Sequence, residues 1–258
     1  MRRFVKGMLP TPRLAVIALF GMMSFSPSTV ASSHDHCSRV QAPSDAGVIA
    51  TQMGLIRGHL WVAAELVALD QMALGAAHAK HPADEIYQSL LPLLKNAGAE
   101  GFAAELEALA VTLQERDKPA FQRAYRNLET AMAAVDTKLS PSSATHLDVT
   151  VELIKQAQVE YAAGLVDGEI VDIKEYQDAR GFLAIAEGLV LEVFASCGPL
   201  IAAAQQQAVR EALALAKTQW PALSEPVVFV EEGDAQPWSG TALASLLTKM
   251  QALRNLMR

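Results

Sequence analysis

Residues 160–182, EYAAGLVDGEIVDIKEYQDARGF, decide the fold because they contain the end of one helix, a tight turn and the start of the next helix. Asp167-Gly168 is a dipeptide typical of tight turns. Asp172, with Glu175 three residues later, has the spacing of a helix-capping box and predicts that a helix begins there. Apolar residues recur at helical spacing on both sides of the turn. The stretch therefore predicts a hairpin of two antiparallel helices.

Almost all of the remaining chain is also predicted to be helical. Apolar residues recur at helical spacing through one long stretch, residues 46–77. Capping residues, prolines and glycines divide the rest into helices over about 82–96, 100–115, 117–139, 144–166, 172–196, 199–220 and 241–256. Short connections favour antiparallel neighbours. The predicted fold class is all-α: an antiparallel helical bundle, either as one body or as two bundles in tandem.

The N-terminus has the three parts of a secretory signal peptide: basic residues, an apolar run over 14–25 and a small-residue cleavage motif ending at Ala31. The apolar run is well below the ~20 residues that a membrane-spanning helix needs. We therefore predict export to the periplasm, with no membrane span after cleavage. The predicted organisation is a signal peptide over 1–31, a flexible tail over 32–44, an N-terminal helical bundle over 45–140, and C-terminal helical hairpins with a proline-bearing connection over 141–258.

Charge and motifs exclude several classes of function. The protein has a net charge of −7, and loss of the leader's four basic residues would make it −11. Such an acidic chain is a poor partner for nucleic acid, whose phosphates attract Lys and Arg, and is compatible with cation binding. The sequence contains no H-E-x-x-H motif, phosphate-binding loop, nucleophile elbow or haem-attachment motif. We therefore predict that the protein does not bind nucleic acid and is not an enzyme.

The two cysteines, Cys37 and Cys197, leave two alternatives open. In an oxidising compartment they can form a disulfide that ties the N-terminal tail to a late helix. Otherwise they are two independent cysteines, one of them in the tail. The even count of cysteines does not decide between these alternatives.

Three histidines in the N-terminal half are candidate metal ligands, because imidazole suits iron, copper, zinc and nickel. His59 lies on an apolar helix face, where it is either a hydrogen-bonded core residue or a ligand that other helices complete. His78 and His81 share one face of a helix end, where they either hold one ion or are solvated cations. A straight helix would place His59 ~28 Å from His78. The two would then serve separate sites, unless the helix breaks at Gly75.

The predicted hairpin brings Tyr161 and Tyr176 together near several acidic side chains, among them Asp178. Phenol and carboxylate oxygens are hard ligands that suit iron(III) or calcium. The alternative is two buried tyrosines with satisfied hydroxyl groups beside a solvated acidic turn. Tyr161, Tyr176 and Asp178 therefore join the histidines as candidate metal ligands.

The same hairpin resembles the periplasmic helical extension of bacterial high-affinity iron permeases. In those proteins one helix ends in Glu-Tyr, an Asp-Gly turn follows, and a second Glu-Tyr lies in the next helix, as Glu160-Tyr161, Asp167-Gly168 and Glu175-Tyr176 do here. The resemblance covers about residues 142–258. The R-E-x-x-E motif of the permease's membrane helices is absent from this sequence. The resemblance therefore implies an accessory role, in binding or delivery of iron.

The N-terminal half is loosely similar to the imelysin group of exported helical proteins, but it departs from that group's G-x-H-x-x-E motif, because Gly58-His59 is followed by Leu-Trp-Val. We predict an exported, non-enzymatic metal-handling protein, accessory to iron or copper uptake, with an iron or copper ion bound. The predicted partner is a membrane iron permease or another envelope protein. The alternative is a structural or adaptor bundle that binds a protein partner without metal.

Overall fold

The computed structural model describes Cys37, residues 44–223 and residues 240–257, which are helical almost throughout. The predicted all-α fold class is confirmed. The predicted signal peptide and, apart from Cys37 and Ser44, the predicted tail over 32–44 lie outside the described residues. The helices are α1 (Ser44–Ala68), α2 (Met72–His81), α3 (Tyr87–Asn96), α4 (Ala103–Gln114), α5 (Lys118–Leu139), α6 (Ser143–Gly164), α7 (Ile173–Cys197), α8 (Ala203–Lys217) and α9 (Thr241–Leu256). A π-helical turn, Pro82–Ile86, joins α2 to α3, and a 3-10 turn, Gly198–Leu200, follows α7.

The predicted hairpin is formed by α6 and α7. Asp167 and Gly168 reverse the chain between them with positive φ angles of 52° and 81°. Asp172 caps α7 as predicted, because its side chain accepts a hydrogen bond from the backbone N–H of Lys174 at 3.0 Å. The turn also contains a small antiparallel ladder that was not predicted. Its strands, β1 (Leu165–Val166) and β2 (Glu169–Ile170), are too short to show alternation in the sequence.

The prediction of one long helix over residues 46–77 is wrong, because the chain reverses direction at residues 69–71. Asp70 adopts a left-handed conformation with φ of 61°. The ammonium group of Lys118 holds the turn, since it donates to the carbonyl oxygen of Ala68 at 2.9 Å and contacts the carboxylate of Asp70 at 2.6 Å. The break is therefore at residues 69–71 rather than at Gly75. As a result α2 folds back along α1.

Most buried apolar side chains of the described residues fall into two clusters. One cluster is built by α1 to α5 and runs from Ile49 to Val135. The other is built by α6 to α9 and runs from Leu147 to Leu253. Helix α7 packs against α6 and also against α1 and α2, so it lies where the N-terminal and C-terminal helices meet. The domain boundaries at residues 140 and 141 stay a prediction.

Helix α7 is long and apolar, and it contributes many of the buried side chains of the C-terminal cluster. By length and composition Ile173–Leu200 could cross a membrane. However, its apolar residues, from Tyr176 to Phe194, belong to the C-terminal cluster. At its last residue Cys197 forms a disulfide with Cys37, with Cα atoms 5.7 Å apart. Of the two alternatives left open for Cys37 and Cys197, the structure shows the disulfide.

Candidate metal centre

Three buried side chains from three different helices meet at one carboxylate oxygen. His59 lies on α1, His78 on α2 and Asp178 on α7, and their exposed fractions are 4%, 2% and 4%. The Nδ1 atom of His59 is 2.6 Å from Oδ1 of Asp178, and Nδ1 of His78 is 2.8 Å from the same oxygen. One ligand atom from each residue lies within 4.8 Å of the other two. The cluster is therefore a compact set of two imidazole nitrogens and one carboxylate oxygen.

Two glycines let α1 and α7 approach closely enough for His59 to reach Asp178. A β-carbon on Gly181 would collide with the carbonyl oxygen of Gly58, and a β-carbon on Gly58 would collide with the ring of Phe182. Gly58 directly precedes His59, and Gly181 lies one helical turn after Asp178. The close contact of the two backbones therefore lies beside both candidate ligands.

The reversal at residues 69–71 brings His78 to the same place as His59. The backbone of Gly75 lies against α1, where a β-carbon would come within 3.0 Å of the carbonyl oxygen of Ala63. The expectation that His59 and His78 lie ~28 Å apart on a straight helix, and so serve separate sites, is therefore wrong. Both imidazoles contact the same oxygen of Asp178.

The hydrogen bonds at this site keep Asp178 ionised. Burial raises the pKa of Asp178, but the hydrogen bonds from His59 and His78 outweigh it and lower the pKa to about 2. An ionised carboxylate can only accept hydrogen bonds, so both Nδ1 atoms donate to it. The Nε2 atom of His78 is 2.8 Å from the side-chain oxygen of Gln177, which is also an acceptor. The His78 ring therefore lies between two acceptors, the carboxylate of Asp178 and the amide oxygen of Gln177.

Aromatic rings enclose His59 on two sides. The ring of His81 stacks on it, with ring centroids 4.5 Å apart and an interplanar angle of 23°. The ring of Phe182 meets it edge-on, with centroids 5.0 Å apart. Nε2 of His81 lies 3.2 Å from the carboxylate of Glu85. These contacts fix the orientation of the His59 imidazole at the edge of the site.

The donor set fits a transition-metal ion. Two imidazoles and one carboxylate are the ligands typical of non-haem iron(II) sites, which leave further coordination positions open. The nitrogen–oxygen distances of 2.6 and 2.8 Å are those of hydrogen bonds, whereas two ligands of one ion lie roughly 3.0–3.4 Å apart. An ion would therefore replace the protons on Nδ1 of His59 and His78 after the side chains separate by about half an ångström.

The structure brings together three of the six predicted ligands, in a combination that the sequence did not indicate. His59, His78 and Asp178 converge. His81 is not part of this group, and it stacks on His59 and pairs with Glu85. The sequence did not indicate Gln177, because a residue that hydrogen-bonds to a candidate ligand has no characteristic sequence motif.

The oxygen-rich site predicted at the tyrosines stays a prediction, and the contacts of the two hydroxyl groups favour the alternative of two buried tyrosines. Tyr161 and Tyr176 approach each other as predicted, with ring centroids 6.2 Å apart. However, the hydroxyl of Tyr161 donates to the side-chain oxygen of Gln219, and that of Tyr176 to the Gln219 backbone carbonyl, each at 3.2 Å. Burial raises the pKa of both hydroxyls, which disfavours the phenolate that binds metal. Asp178 contacts the histidines instead of the tyrosines.

Comparison with known protein families gives a match in the C-terminal part of the chain. Residues 138–235 match the family model of the iron permease-associated 4-helix bundle domain. The resemblance predicted from the hairpin is thereby confirmed. The matched domain is not a known enzyme family. No curated protein and no solved structure is significantly similar to the chain. The match contains Asp178, whereas His59 and His78 precede it.

Proposed function

We propose that this protein is an exported, non-enzymatic metal-handling protein that binds iron through His59, His78 and Asp178 and is accessory to iron uptake. One observation carries the proposal: two buried imidazoles converge on one ionised carboxylate. The match of residues 138–235 to an iron permease-associated domain supports iron as the metal. The site joins that matched part of the chain to helices outside it.

The ligand types favour iron over copper. A carboxylate and two imidazoles are borderline to hard ligands, whereas copper(I) selects thiolates and thioethers. The two cysteines of the chain form a disulfide and so offer no thiolate. Copper(II) binds imidazole more tightly than iron(II) does, so copper is the second candidate and must be included as a competitor in any test.

The arrangement suits binding and delivery better than catalysis. Three protein ligands leave coordination positions for water or for a donor group of another protein. A membrane iron permease, or another envelope protein, is the proposed partner that receives or supplies the ion. The periplasm is the proposed location, because the leader has the composition of a secretory signal peptide. An intact mass that still includes residues 14–25 would contradict export with cleavage.

Metal analysis of the protein tests this function. The protein is purified from the periplasm without an affinity tag, since a histidine tag would bind metal itself, and its iron, copper and zinc are measured. We expect iron in the native protein and loss of that iron in His78→Ala. Iron at the background level in native protein that is expressed in iron-replete cells would contradict the proposal.

The second candidate function is a structural or adaptor bundle that binds a protein partner without metal. The observation that favours it is that the Nδ1 atoms of His59 and His78 already have hydrogen-bond partners at 2.6 and 2.8 Å. In that case the cluster is a buried ion pair that fixes the packing of α1, α2 and α7. A native protein without metal that is strongly destabilised by His78→Ala would favour this candidate.

A further inference from the structure

A buried glutamine links the site to the segment that follows α8. Gln177 directly precedes Asp178 on α7 and has no exposed surface. Its side-chain oxygen is 2.8 Å from Nε2 of His78, and its side-chain nitrogen donates to the carbonyl oxygen of Leu223 at 2.7 Å. We propose that Gln177 is a positioning residue, which holds His78 with Nδ1 facing Asp178 and couples the metal centre to residues 219–223.

The carbonyl oxygen of Leu223 sets the orientation of the amide. A carbonyl only accepts hydrogen bonds, so the NH₂ group of Gln177 must face it, and the amide oxygen must face His78. Nε2 of His78 then carries the hydrogen of that bond. In metal sites an imidazole that coordinates through one nitrogen usually donates from the other to an oxygen, which fixes the ring and its tautomer. Gln177 supplies that oxygen for His78.

Residues 219–223 are hydrogen-bonded to the two residues of α7 that directly precede Asp178. The indole N–H of Trp220 donates to the backbone carbonyl of Tyr176 at 2.7 Å. The hydroxyl of Tyr176 donates back to the carbonyl of Gln219 at 3.2 Å. Together with the bond from Gln177 to Leu223, these contacts tie the segment to two consecutive residues of α7. Movement of the segment and orientation of His78 therefore affect each other.

This coupling works in both directions. If attachment of residues 219–223 orders His78 for metal binding, then bound metal must strengthen the attachment by the same free energy. This part of the inference rests on the proposed function, because it requires that the site binds a metal ion. The hydrogen bonds of Gln177 exist without metal and can be tested without it.

Two substitutions separate the two bonds of Gln177. Gln177→Leu removes both hydrogen bonds and places an apolar side chain of similar size at this position. Gln177→Glu keeps an oxygen for His78 but loses the donor to Leu223. Gln206→Leu is the matched control, since Gln206 donates to the carbonyls of Gly198 and Ile201 at the start of α8.

The first measurement is nuclear magnetic resonance of metal-free protein, which observes the ring proton on Nε2 of His78 and the exchange of the Trp220 indole proton. We expect the His78 signal in the wild type and in Gln177→Glu, and its loss in Gln177→Leu. The Trp220 proton should exchange faster in both Gln177 variants than in Gln206→Leu. Unchanged His78 and Trp220 signals in Gln177→Leu would overturn the inference.

The second measurement is iron(II) titration of the same proteins. Loss of an orienting partner of a metal ligand typically weakens binding roughly 10–100-fold, and we expect a loss of this size in Gln177→Leu. Gln206→Leu should bind as the wild type does. Equal affinity of Gln177→Leu and the wild type would also overturn the inference. Failure of the wild type to bind contradicts the proposed function, whereas the metal-free spectra decide the role of Gln177 independently.

Discussion

Gly58 and Gly181 bring the backbones of α1 and α7 into direct contact, since a β-carbon on Gly181 would overlap the carbonyl oxygen of Gly58. Both glycines lie within one helical turn of a residue of the candidate metal centre. The contact therefore determines the distance across which His59 and Asp178 meet. A change in the separation of the two helices should consequently alter stability and metal binding together.

Gly181→Ala should destabilise the protein by about 1–3 kcal/mol, the usual cost of overpacking a core, and should weaken iron binding. Gly188→Ala is the matched control on the same helix, because a β-carbon there meets no atom within 4 Å. Replacing that exposed glycine should raise stability by up to about 1 kcal/mol. Denaturant unfolding and metal titration of both variants check the prediction. Equal stability of the two variants would show that the helices do not depend on this contact.

Asp178 should contribute stability that disappears in acid. Its pKa is lowered to about 2 in the folded protein, so the folded state holds fewer protons than the unfolded chain, whose Asp pKa is about 3.9. The contribution, about 2 kcal/mol, is present above about pH 4 and is lost as the pH falls towards 2. The stability difference between metal-free wild type and Asp178→Asn should therefore shrink over this range. A constant difference would contradict the assigned hydrogen bonds.

Glu175 should have the opposite pH dependence. Its hydrogen bond with Glu160, followed by burial and neighbouring carboxylates, raises its pKa to about 7. The folded state therefore binds a proton more tightly than the unfolded chain, in which the Glu carboxyl has its ordinary pKa of 4.5. The associated stability is fully present below pH 4.5 and is lost as the pH rises towards 7. Glu175→Gln retains a donor for Glu160, so the stability of this variant should fall less than that of the wild type on going from about pH 5 to pH 8. Parallel pH profiles would contradict this account.

The disulfide between Cys37 and Cys197 should stabilise the protein strongly, because it closes a loop with a sequence separation of 160 residues. The chain-entropy argument gives an upper value of about 5 kcal/mol for a loop of this length. Reductant should therefore lower the denaturant midpoint of the wild type. The double variant Cys37→Ser and Cys197→Ser is the control, and reductant should not change its midpoint. An unchanged wild-type midpoint would mean that the tail contributes no constraint.

Local signals predicted most of the helices, because helix ends depend on residues close in sequence. The cap at Asp172 was correctly located, and the helix predicted to begin near residue 117 is capped by Asp117. The failure at residues 69–71 has a physical cause. The turn is stabilised by Lys118, which is far away in sequence, and the polar pair Asp70 and Gln71 is only a weak local interruption of the apolar periodicity.

That one error explains why the candidate site was only partly predicted. Residue types alone identified His59, His78 and Asp178 as candidate ligands, but the prediction of a straight helix kept the two histidines apart. Asp178 was assigned to the tyrosines because they are close in sequence, although its neighbours on other helices are His59 and His78. Long-range packing at Gly58 and Gly181 decides the grouping, and that packing has no local sequence signal.

The most direct test of the central claim is an anaerobic titration of the mature chain with iron(II), with copper(II) as the competitor. The wild type should bind one ion per chain, and Asp178→Asn should lose it, because an amide replaces the charged carboxylate that both imidazoles contact. Tyr161→Phe should still bind one ion, because Tyr161 bonds to Gln219 rather than to the metal centre. Unchanged binding by Asp178→Asn, or an equal loss in Tyr161→Phe, would contradict the assignment of the site.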